Sequence, residues 1–283
     1  MAQVNVAITG ASGMIGKRLQ QRLAEMGHTA LAVPREAAAP TCDAVINLAG
    51  EPIAQRWTEA AKKRIYDSRV AGTRRLVSAL STQSHRPRVL VCASAVGYYG
   101  SRGDEILTES SPPGSGFLPR LVTDWEQTAR TAEALDIRVV SLRFGMVLGH
   151  GGALAKLLPP FRLGAGGRLG SGRQWMSWIH IDDVVSLILF AMENAAGVPL
   201  SGAVNATAPY AVTNDEFTRR LGAALRRPAI FPIPVFALKL LFGEMSEVLL
   251  DSQRVLPATA QAAGFHFQYP DLSAALKNIL AAQ

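Results

Sequence analysis

The sequence predicts an α/β protein in which a doubly wound parallel sheet carries a smaller C-terminal α/β lobe. Short apolar segments alternate with longer amphipathic segments through the first half of the chain. The first apolar segment runs into a glycine-rich turn that opens an amphipathic segment. The composition, 48% hydrophobic and 18% charged over 283 residues, is that of an ordinary globular protein. Alternation of strand and helix is typical of a parallel sheet with helices on both faces.

The elements of the first half follow from hydrophobic periodicity. Strands are predicted at 3–9, 29–33, 44–48, 88–93 and 138–143. Helices are predicted between them at 13–26, 58–66, 69–80 and about 117–135. In the first helix Ile15, Leu19, Leu23 and Met26 share one face. The uninterrupted apolar run near 44–48 is typical of a parallel strand that is covered on both faces.

The second half has a different texture, which sets the predicted domain organisation. Residues 149–173 are rich in glycine, and 163–172 within this stretch could form a mobile loop that closes over a ligand, or a plain surface turn. Asp182 or Asp183 is predicted to cap a helix that runs to about 194. Further helices are predicted at 213–226 and from 272. We expect 1–150 and the returning segment 174–209 to form the main domain, and 151–173 with 210–283 to form the smaller lobe.

Composition excludes several classes of protein. A chain of this length buries roughly three quarters of its unfolded surface, so it needs neither a metal nor a disulfide to fold. Cys42 and Cys92 make no CxxC or zinc pattern, and reduced thiols in a cytoplasmic protein are the expectation, with one disulfide left open. No signal-peptide pattern is found, and the longest apolar stretch, 231–242, is interrupted by proline and lysine. The sequence therefore predicts a cytoplasmic protein with no metal site and no membrane partner.

The net charge of +7 comes mainly from arginine. One interpretation is a solvated surface. The other is an anionic small ligand, because guanidinium groups suit phosphates and carboxylates. The basic residues form no long run and no stripe interleaved with aromatic residues, so nucleic-acid binding is not expected.

Three glycines predict a dinucleotide site between the first strand and the first helix. Gly10 permits a tight turn, Gly13 lets the backbone approach a pyrophosphate, and Gly16 allows the helix to pack closely on the strand. The helix N-terminus supplies amides and a positive dipole to the phosphates. A P-loop is excluded because the glycine spacing is one residue too long and Arg18, not serine or threonine, follows Lys17. The fold is therefore expected to be of the Rossmann type.

The end of the second predicted strand bears on which dinucleotide binds. Arg35 lies where an acidic residue would bind the ribose 2′-hydroxyl of NAD, and an arginine there suits a 2′-phosphate. Arg35 therefore favours NADP(H) over NAD(H). The neighbouring Glu36 leaves NAD(H) open.

Several longer motifs carry a resemblance to a known family. They are Asn47-Leu-Ala-Gly-Glu-Pro52, Arg69-Val-Ala-Gly-Thr73, Ser94-Ala-Val-Gly-Tyr-Tyr-Gly100, and the stretch from Gly170 through His180 to Asp183. With these motifs the chain resembles the extended short-chain dehydrogenase/reductases, in the NAD-dependent epimerase/dehydratase family. It is most similar to an atypical bacterial branch described as nucleoside-diphosphate-sugar epimerase-like, which ends in a domain of unassigned function. The resemblance covers nearly the whole chain.

The resemblance implies roles for individual residues. It assigns the pyrophosphate to Gly10, Ser12, Gly13, Met14 and Ile15, with Gly16 completing the loop, and the adenosine side to Leu48, Ala49 and Gly50. Arg69 joins this cofactor-binding set. Ser94 occupies the family's active-site serine position and would polarise a substrate oxygen.

One family feature is missing from the sequence. The family's proton donor is a tyrosine four residues before a lysine, and no YxxxK occurs here. On the expected helix the two positions hold Leu118 and Val122. Three alternatives stay open: Tyr98 or Tyr99 beside Ser94 donates the proton, other acid–base residues act, or the protein binds NADP(H) without turnover as a sensor. Packing is the competing interpretation for both tyrosines.

Candidate substrate residues lie in the second half. Arg168 and Arg173 flank the glycine-rich segment together with Arg162, and they could bind an anionic group such as a diphosphate. His180 is a further candidate, with packing and helix capping as the competing interpretation. The predicted function is an NADP(H)-dependent oxidoreductase or epimerase acting on a small hydroxylated or nucleotide-sugar-like substrate. A non-catalytic NADP(H)-binding sensor is the alternative, and a homodimer is an open arrangement.

Overall fold

A computed structural model describes residues 3–34, 40–193 and 199–281. In chain order its strands are β1 (Asn5–Thr9), β2 (Thr29–Val33), β3 (Ala44–Asn47), β4 (Val89–Ala95), β5 (Ile106–Leu107), β6 (Arg138–Phe144), β7 (Met146–Leu148), β8 (Trp175–Met176), β9 (Trp178–His180), β10 (Gly202–Ala206), β11 (Val212–Thr213) and β12 (Arg254–Val255). Its α-helices are α1 (Met14–Glu25), α2 (Glu59–Ser81), α3 (Phe117–Arg130), α4 (Gly152–Arg162), α5 (Ile181–Met192), α6 (Asn214–Leu225), α7 (Val235–Phe242), α8 (Ser246–Leu250), α9 (Ala258–Ala262) and α10 (Leu272–Ala281).

The main sheet has six parallel strands in the order β2-β1-β3-β4-β6-β10. The strand order reverses between β1 and β3, the point where open α/β sheets bind their ligands. This confirms the predicted doubly wound parallel sheet and its five predicted strands. The sixth strand, β10, lies in the segment that was expected to return to the main domain but was not predicted separately.

The two faces of the sheet bury separate clusters. On one face Val6 and Ile8 of β1 pack with helices α1 and α5, and on the other Leu90 and Cys92 of β4 pack with α2 and α3. Because side chains alternate along a strand, a strand that is covered on both sides is apolar throughout. Ser94 follows the alternation of Leu90 and Cys92, so it belongs to the face that α3 covers.

Two predicted helix boundaries are wrong. The helices expected at 58–66 and 69–80 are one helix, α2, because the Ser68 hydroxyl bonds to the carbonyl of Ile65 within the helix and does not interrupt it. The helix expected at 117–135 is α at first and becomes a 3-10 helix over Thr131–Leu135.

The glycine-rich segment is more ordered than the sequence predicts. Its first half is helix α4, which ends at Arg162, before the loop that the sequence predicts at 163–172. The second half is hydrogen-bonded to the segment before α7, with Gly170 donating to the carbonyl of Ile233 at 2.8 Å and Ile233 donating to Arg168 at 2.8 Å. A Cβ on Gly167 would lie 1.7 Å from the carbonyl oxygen of Phe231, so only glycine fits this contact.

The C-terminal part builds a second cluster and also returns to the first. Helices α4, α6 and α10 pack together around Trp178, Phe217 and Leu276. Ala260 and Phe265, in contrast, belong to the cluster under the main sheet. Among the described helices none has both the length and the apolar character to cross a membrane. Across the described residues as a whole, no group of three or more His, Cys, Asp or Glu side chains could bind a metal.

Candidate functional site

The turn after β1 requires glycine at its first position. Gly10 has φ of 70°, which side-chain-bearing residues rarely adopt. A Cβ on Gly10 would also lie 2.7 Å from the carbonyl atoms of Leu48, and the Gly13 amide donates to the Gly10 carbonyl at 3.0 Å. Gly16 brings α1 against this turn, because its Cβ would lie 2.5 Å from the Gly10 oxygen. Helix α1 has no acidic side chain in its first turn, so the positive end of its dipole is not compensated there.

The other predicted residues of the turn have distinct surroundings. Ser12 is exposed, and Ile15 packs on the main core. Met14 reaches the segment before α4: a Cβ on Gly149 would lie 3.1 Å from the Met14 sulfur, and one on Gly151 would lie 3.3 Å from it. The backbone of this cradle therefore fits a pyrophosphate, with Met14 closing the side toward α4.

The segment after β3 forms the opposite wall. The Leu48 amide donates to the Thr9 carbonyl at 3.1 Å, and Ala49 lies next to Gly10. The Arg69 guanidinium lies under Gly50, where a Cβ would approach it to 3.1 Å, and it donates to the Glu51 carbonyl at 3.0 Å. Burial lowers the pKa of Arg69 to about 10. A half-buried cation bound chiefly to carbonyls is well suited to a nearby anion.

A buried hydrogen-bond chain fixes this edge of the sheet. Thr9 donates to Asn47 at 2.6 Å, Asn47 donates to the Thr73 hydroxyl at 3.0 Å, and the Trp125 indole donates to the same hydroxyl at 2.9 Å. The Ala49 amide donates to the Thr9 hydroxyl at 3.3 Å. This series of hydrogen bonds thus links the ends of β1 and β3 to α2 and α3.

Ser94 is hydrogen-bonded to a carboxylate. Its hydroxyl donates to Glu126 of α3 at 2.5 Å. Arg143, the register partner of Ser94 on β6, binds both oxygens of Glu126 at 2.8 Å. The Arg143 and Glu126 side chains are 4% and 11% exposed. Burial opposes the charge on Arg143, but its bonds and attraction to Glu126 raise its pKa above the ordinary value.

The two tyrosines differ in what they can do. Tyr99 is fully buried, and its hydroxyl donates to Asn205 at 2.7 Å and accepts from Arg143 at 3.0 Å. Burial raises the pKa of Tyr99, so the geometry favours the packing interpretation for this residue. Tyr98 is half-buried, and the Arg143 guanidinium stacks on its ring at 3.5 Å. Tyr98 is thus the better placed of the two as a proton donor.

The sequence reasoning missed Glu126 and Arg143 as site residues. Leu118 contacts the turn after β4, where a Cβ on Gly97 would lie 3.4 Å from it, and Val122 is buried. Glu126 follows at the next i+4 position on the same helix face. Two signals could have found the pair: this spacing, and an arginine between the apolar Leu142 and Phe144 near the end of a strand.

The predicted substrate residues are not brought together. Arg168 is exposed and lies 3.8 Å from Asp215, and Arg173 is exposed on the connection after α4. His180 is buried, stacks on Tyr269 with ring centroids 3.9 Å apart, and hydrogen-bonds to Asn278 of α10. Burial lowers the pKa of His180. Its surroundings favour packing over substrate contact. Arg35 lies outside the described residues.

The predicted cap of α5 is wrong. His180 is the N-cap, and its Nδ1 accepts from the Asp182 amide at 3.1 Å. Asp182 instead pairs with Arg18 of α1 at 2.6 Å. Asp183 accepts from the amides of Gln268 and Tyr269, which ties the C-terminal segment to α5.

Comparisons with known proteins agree with this architecture. The model of the NAD dependent epimerase/dehydratase family matches residues 6–206, and a domain of unknown function, DUF1731, matches residues 233–279. An Arabidopsis thaliana protein, the chloroplastic homolog of epimerase family protein SDR39U1, is 42% identical over 99% of this chain and 87% of its own. The crystal structure of human SDR39U1 with NADPH is 37% identical, with a TM-score of 0.91 over 99% of this chain and all of the human one.

A second solved structure, the nucleoside-diphosphate sugar epimerase from Corynebacterium glutamicum, is 31% identical with a TM-score of 0.80. It covers this whole chain, which spans 59% of that protein. Both the sheet order and the glycine turn are in place, and the family model covers more than half of the chain. The chain belongs to the NAD dependent epimerase/dehydratase family.

Proposed function

We propose that this chain binds NADP(H) over the turn at Gly10. The observation that carries the proposal is the glycine cradle. A Cβ at Gly10 would collide with the backbone of Leu48, and a Cβ at Gly16 would collide with the backbone of the turn. Gly10, Ser12, Gly13, Met14 and Ile15 would line the pyrophosphate at the positive end of α1.

The adenosine side of the site would be formed by the opposite wall. Leu48, Ala49 and Gly50 would contact the adenosine half, and Arg69 beneath them would supply positive charge. The choice of NADP(H) over NAD(H) draws on Arg35 and on the human relative, whose crystal structure contains NADPH.

The proposed reaction is oxidoreduction, or epimerisation by transient oxidation, of a small hydroxylated or nucleotide-sugar-like substrate. Bound NADP(H) would supply or accept a hydride. Ser94 would contact the substrate oxygen, and Tyr98 is the first candidate for the proton donor because Tyr99 is fully buried. Arg168 and Arg173 remain candidates for an anionic part of the substrate, since both are exposed.

A sensor that binds NADP(H) without turnover is the second candidate. It is favoured by the apolar Leu118 and Val122 in the positions of the family's tyrosine and lysine. The hydroxyl of Tyr99 is also bonded within the protein.

Cofactor binding and turnover are measured separately. NADPH binding is followed by fluorescence and calorimetry, and oxidation or reduction is then followed across carbonyls, polyols and nucleotide sugars. Binding with turnover supports the oxidoreductase, and binding without turnover supports the sensor. If neither dinucleotide binds to folded protein, the proposal is wrong.

The setting of the protein is part of the proposal. Cys42 and Cys92 are free and buried, which fits a reducing compartment such as the cytoplasm. A small-molecule substrate is the proposed partner, with a homodimer left to size measurement.

A further inference from the structure

The hydrogen bond between Ser94 and Glu126 fixes the polarity of the serine. A serine hydroxyl has one hydrogen to donate and two lone pairs that accept. The single hydrogen of Ser94 points to Glu126 at 2.5 Å, and both oxygens of Glu126 also accept from Arg143. Ser94 is 3% exposed, and among the described residues no other side-chain bond to it is found, so its lone pairs are not used by another side chain. A ligand that meets Ser94 therefore has to be a hydrogen-bond donor, such as a hydroxyl group.

Glu126 balances the charge of Arg143, but net stability alone does not account for placing such an ion pair in the protein. A buried ion pair adds little net stability compared with apolar residues of the same size. Glu126 and Arg143 nevertheless lie nearly buried at the carboxyl edge of β4 and β6, the edge at which open α/β sheets bind ligands. Charged groups that are held at such an edge are candidates for function.

The position of Glu126 on α3 points to the same role. Leu118, Val122 and Glu126 are spaced by four residues and share one helix face. The two apolar residues occupy the positions of the family's tyrosine and lysine. The first ionisable group on this face is therefore one turn further along, in contact with Ser94.

We propose that Glu126, acting through Ser94, exchanges the proton of the substrate hydroxyl; this inference rests on the proposed oxidoreductase function. In the oxidation direction the substrate C–H bond breaks and its electron pair passes as hydride to C4 of the nicotinamide, so that NADP⁺ is reduced. The substrate O–H proton moves to the Ser94 oxygen while the Ser94 proton moves to Glu126, and the C=O bond forms. Reduction is the reverse, with the proton returning from Glu126 through Ser94 to the new hydroxyl.

Arg143 is a positioning residue in this scheme. Its two bonds hold the carboxylate against Ser94, and its remaining contacts are with the ring of Tyr98 and the hydroxyl of Tyr99. It receives no proton.

The kinetic test compares S94A and E126Q with a matched control, D124N. Asp124 lies on the same helix, and its carboxylate accepts from the Tyr66 hydroxyl at 2.8 Å, outside the site. We expect all three variants to bind NADPH within about twofold of wild type, because the phosphate cradle is untouched. With NADP⁺ and the alcohols that wild type oxidises in a panel of polyols and nucleotide sugars including UDP-glucose, kcat falls by roughly 10²-fold or more in S94A and E126Q. KM changes less, and D124N keeps the wild-type kcat.

The double variant S94A/E126Q tests whether the two residues act as one relay. A relay loses its function once, so the double variant should be no slower than the slower single variant. S94A leaves the ion pair of Glu126 and Arg143 intact, so the test survives if E126Q folds poorly. Wild-type turnover with an undiminished kcat in S94A or E126Q, or losses that multiply, overturns the relay and leaves the proposed function standing. NADPH binding without turnover of any alcohol or carbonyl overturns the relay and the proposed oxidoreductase reaction, and leaves the proposed NADP(H) binding standing.

A second measurement needs no cofactor and no turnover. The carboxylate stretching band of Glu126 is assigned in the infrared spectrum by its loss in E126Q. Removing the short hydrogen bond in S94A should shift this band, while S94T, which keeps a hydroxyl, should restore it. A band that is unchanged in S94A means that the serine does not donate to Glu126, and the proposal falls.

Discussion

Replacing Thr73 with valine should destabilise the protein through the hydrogen-bond chain beneath the cofactor edge. The Thr73 hydroxyl accepts from both Asn47 and Trp125, and the three residues are at most 5% exposed. Valine has nearly the same shape but accepts no hydrogen bond, so two buried N–H groups lose their partner. Each such group costs about 1–3 kcal/mol. Asn47 retains a weak contact with the Cys92 sulfur at 3.8 Å, so the expected total is about 3 kcal/mol.

The loss is measured by urea denaturation and by calorimetry. A destabilisation of about 3 kcal/mol lowers the Tm of a chain of this size by roughly 5 °C. The matched control is Thr123→Val, since the Thr123 hydroxyl donates to the Pro119 carbonyl of its own helix at 2.8 Å. We expect the control to change stability by no more than about 0.5 kcal/mol. If Thr73→Val is no worse than Thr123→Val, the chain does not stabilise this edge and the reasoning is refuted.

Three further predictions concern the cofactor turn and two buried titrating groups. Gly10→Ala should weaken NADPH binding by more than about tenfold in calorimetry, because a φ of 70° is combined with a Cβ 2.7 Å from Leu48. The control is Gly27→Ala, which should keep wild-type affinity because Gly27 has a similar φ of 75° but open space around it. Burial raises the pKa of Cys92 to about 12 from 9.0. Between pH 9 and pH 12 unfolding therefore releases a proton, and the free energy of unfolding falls as the pH rises. Cys92→Ala should flatten this part of the pH–stability profile measured by urea denaturation. Burial lowers the pKa of His180 from 6.5, so stability falls as pH drops below 6.5, and His180→Asn should reduce that slope.

Each of these predictions has an outcome that contradicts it. Equal loss of affinity in Gly10→Ala and Gly27→Ala would mean that backbone strain alone, and not contact with Leu48, weakens binding. A Cys92→Ala profile parallel to wild type above pH 9 would show that another group dominates there. A His180→Asn profile parallel to wild type below pH 6.5 would likewise show that another group dominates in that range.

The site also explains how the C-terminal segment is attached. Asp183, at the start of α5, accepts from the amides of Gln268 and Tyr269, and His180 stacks on Tyr269. The motif around 178–183 therefore joins the region matched by DUF1731 to the main sheet. His180 and Asp183 of this motif contact the C-terminal segment, whereas Asp182 pairs with Arg18 of α1.

The sequence by itself determined the features that depend on local order along the chain. Alternating apolar and amphipathic segments fix a parallel sheet, and three glycines between the first strand and helix fix the cofactor turn, because hydrophobic period and backbone freedom are local properties. The absence of a YxxxK motif is likewise read directly from the sequence. These predictions required no knowledge of which distant residues meet.

Only the tertiary structure decided how the polar groups pair. Ser94 and Glu126 are 32 residues apart and Arg143 is 17 residues beyond Glu126, so they meet only because β6 lies beside β4 and α3 covers that face. Tyr98 and Tyr99 are adjacent in sequence, yet one is half-buried and the other fully buried with its hydroxyl bonded. Charge partners and burial depend on contacts between segments distant in sequence, and no periodicity within one segment encodes them.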